Sequence, residues 1–242
     1  MRICVAQTRP VKGDIKNNID SHKKLIDLAV LSKADIIIFP ELSITGYEPE
    51  LSKELATNKE DNRFDDFQHI SNTKQITIGI GVPIKNGTGI CISMVIFQPN
   101  KARQTYSKQY LHPDEEKFFV SGKNSTGLIG QKSNIALAIC YELSVPEHSE
   151  NAYKSGAGVY IASVVKTVNK IDLALHNLSE IANKYSMTVL MSNCVGQSNG
   201  NQCAGKSSIW SSKGLLLSQL DDTNEGILII DTETEEIIKK TI

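Results

Sequence analysis

The sequence predicts an α/β protein built as a layered sandwich, with helices outside and sheets within. Three observations predict it. The chain opens as strand, helix, strand; its middle carries three strand-like runs with no long helix between them; and a second group of apolar strands and amphipathic helices begins near Ile135. Many strands flanked by two groups of helices can bury their apolar faces only by stacking in layers.

Arg2 to Ala6 reads as the first strand. Asp14, just after Gly13, is placed to cap a helix in which Ile15, Ile19, Ile26 and Val30 recur at helical spacing up to Ala34. Ile36-Ile37-Ile38-Phe39 is a second buried strand, and a strand–helix–strand unit implies a parallel pair. Pro40 ends that strand, and Gly46 and Pro49 mark the stretch after Glu41 as loop. Ser52 to Ala56 and Asp61 to Ser71 read as helices, the second with Phe64, Phe67 and Ile70 on one side. Ile76 to Val82, Ile90 to Phe97 and Arg103 to Ser107 follow as strands. Turn residues (Asn86-Gly87, Pro99-Asn100) join them, which predicts antiparallel pairing. Gln109 to Gly127 is polar, irregular and long enough for a functional loop.

Ile135 to Ile139 is an uncharged apolar run stopped by Cys140, Tyr141 and Glu142, the pattern of a strand buried on both faces. Pro146-Glu147 opens a helix to about Ser155, Val159 to Ser163 is a strand, and Lys170 to Tyr185 is an amphipathic helix. Val189 to Asn193, Ser207 to Trp210, Leu215 to Gln219 and Gly226 to Asp231 supply further strands. With no repeat, low-complexity tract or linker, residues 1–242 read as one domain.

Composition removes several function classes. A net charge of −1 gives no field to draw in nucleic acid or an anionic membrane. No run approaches the roughly 18 apolar residues of a membrane span, and the N-terminus enters a strand without a signal peptide's apolar core. Cytoplasmic residence is the expectation. The five cysteines are scattered with no Cys-x-x-Cys pair, so they read as free thiols. The five histidines do not cluster with them, so neither a metal nor another cofactor is expected.

Chemistry-bearing residues sit at strand ends: Glu41 after the second strand, Lys108 after the fifth and Cys140 after the apolar run. Ligands bind beyond the carboxyl ends of strands in open α/β sheets, which puts Cys140 within reach of a substrate. A thiol is only a few per cent ionised at neutral pH, so a base and a cation beside it make a competent nucleophile. Glu41 could take its proton, while Lys108 and the backbone N–H of Tyr141 could hold an oxyanion. Cys4, Cys91 and Cys194 lie inside apolar runs as packing residues, and Cys203 falls in the polar loop Gln197 to Lys206. His112 and His148 read as hydrogen-bonded structural histidines, not as bases. Gly79-Ile80-Gly81 precedes Val82-Pro83 and no helix, so it is not a dinucleotide loop. Asn86-Gly87-Thr88, Asn124-Ser125-Thr126 and Asn177-Leu178-Ser179 match the glycosylation pattern but carry no weight in a cytosolic chain.

Pro40-Glu41-Leu42 with Thr45-Gly46-Tyr47, then Tyr106-Ser107-Lys108 with Leu111-His112, then Ala138-Ile139-Cys140-Tyr141-Glu142 with Pro146-Glu147, resemble in order and separation the catalytic segments of the nitrilase superfamily of carbon–nitrogen hydrolases. The similarity runs from Arg2 to Asp231. It implies an α-β-β-α sandwich with mixed sheets and a Glu-Lys-Cys triad falling on Glu41, Lys108 and Cys140. A second glutamate follows the lysine in that family; Glu115 and Glu116 both qualify, and Glu116, before Lys117-Phe118-Phe119, fits the usual spacing better. Glu142 stands where many amidase branches carry Asp. The resemblance implies hydrolysis of a small amide or N-carbamoyl compound by water, with no cofactor. It also implies a homodimer formed through the helices Pro146 to Ser155 and Lys170 to Tyr185. Tyr47, Glu48, Tyr141, Glu142, Lys166 and Gln197 are candidate pocket residues, and a lysine there could pair with a substrate carboxylate. The competing readings are a nitrile substrate, a cysteine hydrolase with a nucleophile elbow, and a non-catalytic binding module on the same fold. The elbow wants small residues two before and two after the nucleophile; Ala138 suits it and Glu142 does not.

Overall fold

The first strand shows how the layers arise. Along β1 (Arg2–Gln7), Ile3 and Val5 join one buried cluster while Cys4 and Ala6 join another. A strand apolar on both faces has to be covered on both sides. In the computed structural model, which describes residues 1–87, 89–122, 128–130 and 134–242, that rule builds the molecule.

α1 (Ile15–Leu31) begins at the expected cap, where the Asp14 carboxylate accepts the Asn17 N–H at 3.2 Å. It leads to β2 (Ile36–Ile38), which pairs parallel with β1. α2 (Ser52–Leu55) and α3 (Asp65–Lys74) precede β3 (Thr77–Asn86), β4 (Gly89–Phe97) and β5 (Gln104–Ser107). β3 lies parallel to β2, and β4 and β5 then run antiparallel in turn. The second half contains β6 (Ile135–Ile139), α4 (Pro146–Lys154), β7 (Val159–Ser163), α5 (Ile171–Tyr185) and β8 (Thr188–Ser192). β9 (Val195–Ser198), β10 (Asn201–Ala204), β11 (Ser208–Trp210), β12 (Leu216–Gln219), β13 (Gly226–Asp231) and β14 (Ile237–Thr241) complete it.

One sheet has the order β14-β13-β1-β2-β3-β4-β5, the other β12-β11-β8-β7-β6, and both mix parallel and antiparallel pairs. Between them lie Ile3, Val5, Ile38 and Met94 of the first sheet against Leu137, Ile161 and Leu190 of the second. Leu25, Ile26 and Phe67 of α1 and α3 cover the first sheet's outer face, and Leu178 and Ile181 of α5 cover the second's. The architecture is the expected α-β-β-α sandwich.

Besides β14, a strand beyond the last one read from the sequence that pairs antiparallel with β13, two segments depart from the expectation. Gln197 to Lys206 is not a loop: β9 and β10 form an antiparallel hairpin, and Cys203 is 1% exposed with its Sγ 2.9 Å from that of Cys194. Polar residues on one face and a turn at Asn199-Gly200 hide the strand period in sequence. The helix read from Asp61 starts at Asp65, because Asp61 instead caps a preceding 3₁₀ turn by accepting the Arg63 N–H at 2.9 Å. The asparagine pattern at 124–126, Thr88 of the pattern at 86–88, and residues 123–127 of the expected functional loop lie outside the described residues. Among the described residues, no helix is long and apolar enough to cross a membrane.

Candidate active site

Glu41 is set by a turn that a glycine and a neutral histidine hold in place. A Cβ on Gly81 of β3 would lie 2.3 Å from both the Pro40 carbonyl oxygen and the Leu42 nitrogen, so only glycine lets the turn after β2 press this close. The Gly81 N–H donates to the Ser43 hydroxyl at 3.3 Å, and that hydroxyl reaches His22 Nε2 at 2.9 Å. Burial pushes the His22 pKa down to about 3, so its ring is neutral. With Nδ1–H donating to the Asn18 carbonyl at 2.6 Å, the network assigns Nε2 as the acceptor from Ser43.

Lys108 continues β5 by one residue, its N–H donating to the Ile92 carbonyl at 2.9 Å. Its side chain is 0% exposed, and its ammonium donates to Glu41 Oε1 at 2.9 Å and to Glu115 Oε1 at 2.7 Å. Burial disfavours the charge, but the carboxylates of Glu41 and Glu115, together with the sulfur of Cys140, outweigh it and hold the Lys108 pKa above its ordinary value. Glu115 is fixed in turn: Oε1 also accepts the Tyr47 hydroxyl at 2.9 Å, and Oε2 accepts the His112 N–H at 2.8 Å. The carboxylate beside Lys108 is therefore Glu115 and not Glu116. Pro113–Glu115 forms a 3₁₀ turn that aims Glu115 inward and leaves Glu116 exposed at its end. Spacing to Phe119 could not register that turn.

Glu41 differs from its partner in one respect. Its Oε2 is buried with no hydrogen-bond partner. Burial raises the Glu41 pKa against the pull of Lys108, Glu115 raises it further, and the Cys140 thiol facing the carboxylate lowers it. A buried carboxylate with a free oxygen and a raised pKa is a competent general base.

Cys140 follows β6 with φ of 47°, in the left-handed region that non-glycine residues seldom occupy. The strand thus breaks sharply into a 3₁₀ turn, Cys140–Ser144. Glu142 is what makes the break possible. It is 0% exposed; Oε2 accepts the Ile139 N–H at 2.7 Å and the Tyr106 hydroxyl at 2.6 Å, and Oε1 accepts the Gln109 N–H at 2.6 Å. Behind it, Tyr160 hydroxyl to His148 Nδ1 and His148 Nε2 to Tyr106 hydroxyl are each 2.8 Å. Glu142 is accordingly a brace under the turn, tying β5 to β6, and not a pocket residue. His148 is structural, as expected. The elbow that the size of Glu142 argued against is present, because that side chain folds back onto the strand end.

Burial and the Glu41 charge raise the Cys140 pKa, while Lys166 and then Lys108 pull it down. The resting thiol is protonated and must hand its proton on. The Tyr141 N–H lies in the first turn of the 3₁₀ segment, where no intrahelical acceptor exists.

Glu41, Lys108, Glu115 and Cys140 open onto one cavity of about 720 Å³. Tyr47, Tyr141 and Lys166 line it as expected, and Glu116, Glu142 and Glu48 are not among its walls, Glu48 instead pairing with Lys12 at 3.0 Å and accepting the Asn199 N–H at 3.0 Å. Gln197 is exposed and bonded to Gln202 at 2.8 Å; the neighbouring Ser198 and Asn199 line the cavity in its place. No cluster of His, Cys, Asp or Glu able to hold a metal exists among the described residues.

The carbon–nitrogen hydrolase family profile matches residues 2–239. A Staphylococcus aureus protein called "hydrolase in agr operon" is 23% identical over 244 residues, covering 98% of this chain and 93% of its own. A Pyrococcus abyssi nitrilase is 25% identical over 248 residues, covering 100% of this chain and 93% of its own. Among solved structures, a Glu-to-Gln mutant of the amidase from Nesterenkonia sp. AN1 superposes with a TM-score of 0.86 at 21% identity, over 97% of this chain and 94% of that one, and shows the Michael addition of acrylamide at its active-site cysteine.

Proposed function

The chain belongs to the carbon–nitrogen hydrolase family, and from that premise we propose that it is a cysteine amidase that hydrolyses small amides or N-carbamoyl compounds through a thioester. One observation carries the reading: Glu41 spends one oxygen on Lys108 and keeps the other buried and unpartnered at the cavity that holds Cys140.

In the first step Cys140 Sγ attacks the amide carbonyl carbon and its proton passes to Glu41 Oε2. Two of the three Lys108 N–H donors are taken by Glu41 and Glu115. The third, with the Tyr141 N–H, receives the oxyanion. The tetrahedral intermediate collapses as Glu41 returns the proton to the leaving nitrogen, which departs as ammonia or an amine. Water then surrenders a proton to Glu41 and attacks the thioester carbonyl. The acid leaves, and Cys140 recovers its proton. Glu115 keeps Lys108 charged and aimed, a positioning role. Tyr47 holds Glu115, while the Tyr141 ring and Lys166 stand at the substrate.

The test is a screen of aliphatic amides and N-carbamoyl amines with mass spectrometry of the intact protein. The reading expects a thioester adduct on Cys140 at short times, none on Cys140→Ala, and no turnover by that variant. Turnover by purified Cys140→Ala would end it. A reducing, cytoplasmic setting suits the five free thiols. A homodimer through α4 and α5 is tested by sedimentation.

A further inference from the structure

The cavity holds a lysine, Lys166, that stands outside the group of Glu41, Lys108 and Cys140 and takes neither proton nor oxyanion in the steps above. Lys166 follows β7 and lines the same space as Cys140, whose Sγ lies 3.7 Å from the carbonyl oxygen of the adjacent Val165. Its backbone is clamped at both ends by one buried side chain. Asn193, 0% exposed, accepts the Lys166 N–H at 2.9 Å and donates to the Lys166 carbonyl at 3.2 Å, and the Ala204 N–H adds a bond to that carbonyl at 2.9 Å. A lysine rooted this firmly presents its ammonium from a fixed base.

The charges around it explain what the ammonium lacks. Glu41 and Glu115 are held by Lys108, Asp114 lies 3.5 Å from His112, and Glu50 is exposed at the rim. Among the described residues no carboxylate forms an ion pair with Lys166. A cation half-withdrawn from water without a counter-charge is a place for an anion to arrive. The cavity of about 720 Å³ is also far larger than the acyl group of a simple aliphatic amide requires, so it has space for a second functional group.

On the amidase reading above, we propose that the substrate is a monoamide carrying a carboxylate, and that Lys166 binds that carboxylate while Cys140 attacks the amide end. A carboxylate suits the site better than a phosphate. Lys117 and Lys170 also line the cavity but are exposed, so of these three the half-buried Lys166 is the ammonium nearest the thiol; it neutralises one negative charge, and a dianion would bring excess charge towards Glu41 and Glu115.

The experiment compares monoamides of the straight-chain dicarboxylic acids from malonic to adipic with neutral alkyl amides of the same length. Lys166 also helps the thiol ionise, so its replacement slows both series; the ratio of kcat/KM within each matched pair removes that common effect. Wild type is expected to favour the carboxylate member of at least one pair by about 10- to 100-fold. Lys166→Met should bring that ratio to about one, and Lys166→Arg should keep most of it. Equal or better hydrolysis of every neutral amide by wild type, or a ratio that survives Lys166→Met, overturns the proposal and leaves the amidase reading standing. If neither series is hydrolysed, the amidase reading fails in its own right. Calorimetry of the dicarboxylic acids with the Cys140→Ala protein then decides the Lys166 assignment: binding lost in Cys140→Ala/Lys166→Met supports it, and no binding overturns it.

Discussion

Glu41 and Glu142 are both fully buried carboxylates at strand ends beside the same cavity, and their surroundings make them opposites. Glu142 receives three strong donors, the N–H groups of Ile139 and Gln109 and the Tyr106 hydroxyl, and both of its oxygens are engaged. Glu41 receives one full hydrogen bond, from Lys108, and otherwise faces only the Cys140 thiol, its second oxygen having no partner at hydrogen-bond geometry. Burial raises the pKa of each. A satisfied carboxylate is a structural member, because moving a proton onto it would break bonds already made. An unsatisfied one is held ready for a proton that arrives with the reaction. Burial alone does not separate a brace from a base; the count of donors does.

The sharpest way to break this contrast is to neutralise each group. Glu41→Gln keeps the volume and an oxygen for Lys108 but removes the proton acceptor. It is expected to lower kcat by at least about 10³-fold with an unchanged melting temperature. A kcat within tenfold of wild type would make Glu41 a second brace. Glu142→Ala should do the reverse. It orphans two backbone N–H groups and opens a cavity, for about 3 kcal/mol of stability and a fall of roughly 6–12 °C in melting temperature. Loss of activity without loss of stability would place Glu142 in the chemistry instead.

A smaller effect tests the neighbouring pair. Glu115→Gln leaves a hydrogen bond to Lys108 but removes a charge, and about a 10²-fold loss in kcat is expected. Glu116→Gln is exposed and should change activity by less than about twofold and stability by less than about 0.5 kcal/mol. Equal losses from the two would restore the sequence-based choice of Glu116.

Which parts were legible follows from what each signal measures. Apolar period and turn residues report burial, so the opening strand–helix–strand unit, the antiparallel β3–β4–β5 run and the amphipathic α5 were all readable. The three motifs located Glu41, Lys108 and Cys140 at strand ends because strand ends are visible as abrupt changes in polarity. Glu115 was not separable from Glu116, since a one-residue choice depends on the 3₁₀ turn after Pro113. The role of Glu142 was hidden for a related reason. Its partners Tyr106, in the other sheet, and Gln109, just past that strand, lie more than thirty residues earlier in the chain. Gly81 was visible as a glycine in a strand, but nothing local says that the Pro40–Leu42 turn presses against it. The β9–β10 hairpin escaped because its exposed face is as polar as a loop.

The mildest prediction probes the layer behind Glu142. His148 stands between the Tyr106 and Tyr160 hydroxyls, 8% exposed, and burial pushes its pKa down to about 4 from an ordinary 6.5. A depressed histidine pKa means that the unfolded chain binds the proton more readily than the folded one. Its contribution to stability is complete above pH 6.5 and drains away as pH falls towards 4. Between pH 7.5 and 5.5 the drop attributable to this one ring is about 1 kcal/mol. Denaturant melts of wild type and His148→Gln at both pH values isolate it: the wild type should lose about that much more than the variant. An equal loss would mean that His148 does not titrate in this window, and the neutral ring could no longer be credited with holding Tyr106 against Glu142. Activity gives the independent reading. If the brace acts only through position, His148→Gln lowers kcat at pH 7.5 by no more than a few-fold and leaves the pH at which Glu41 limits the rate where it was.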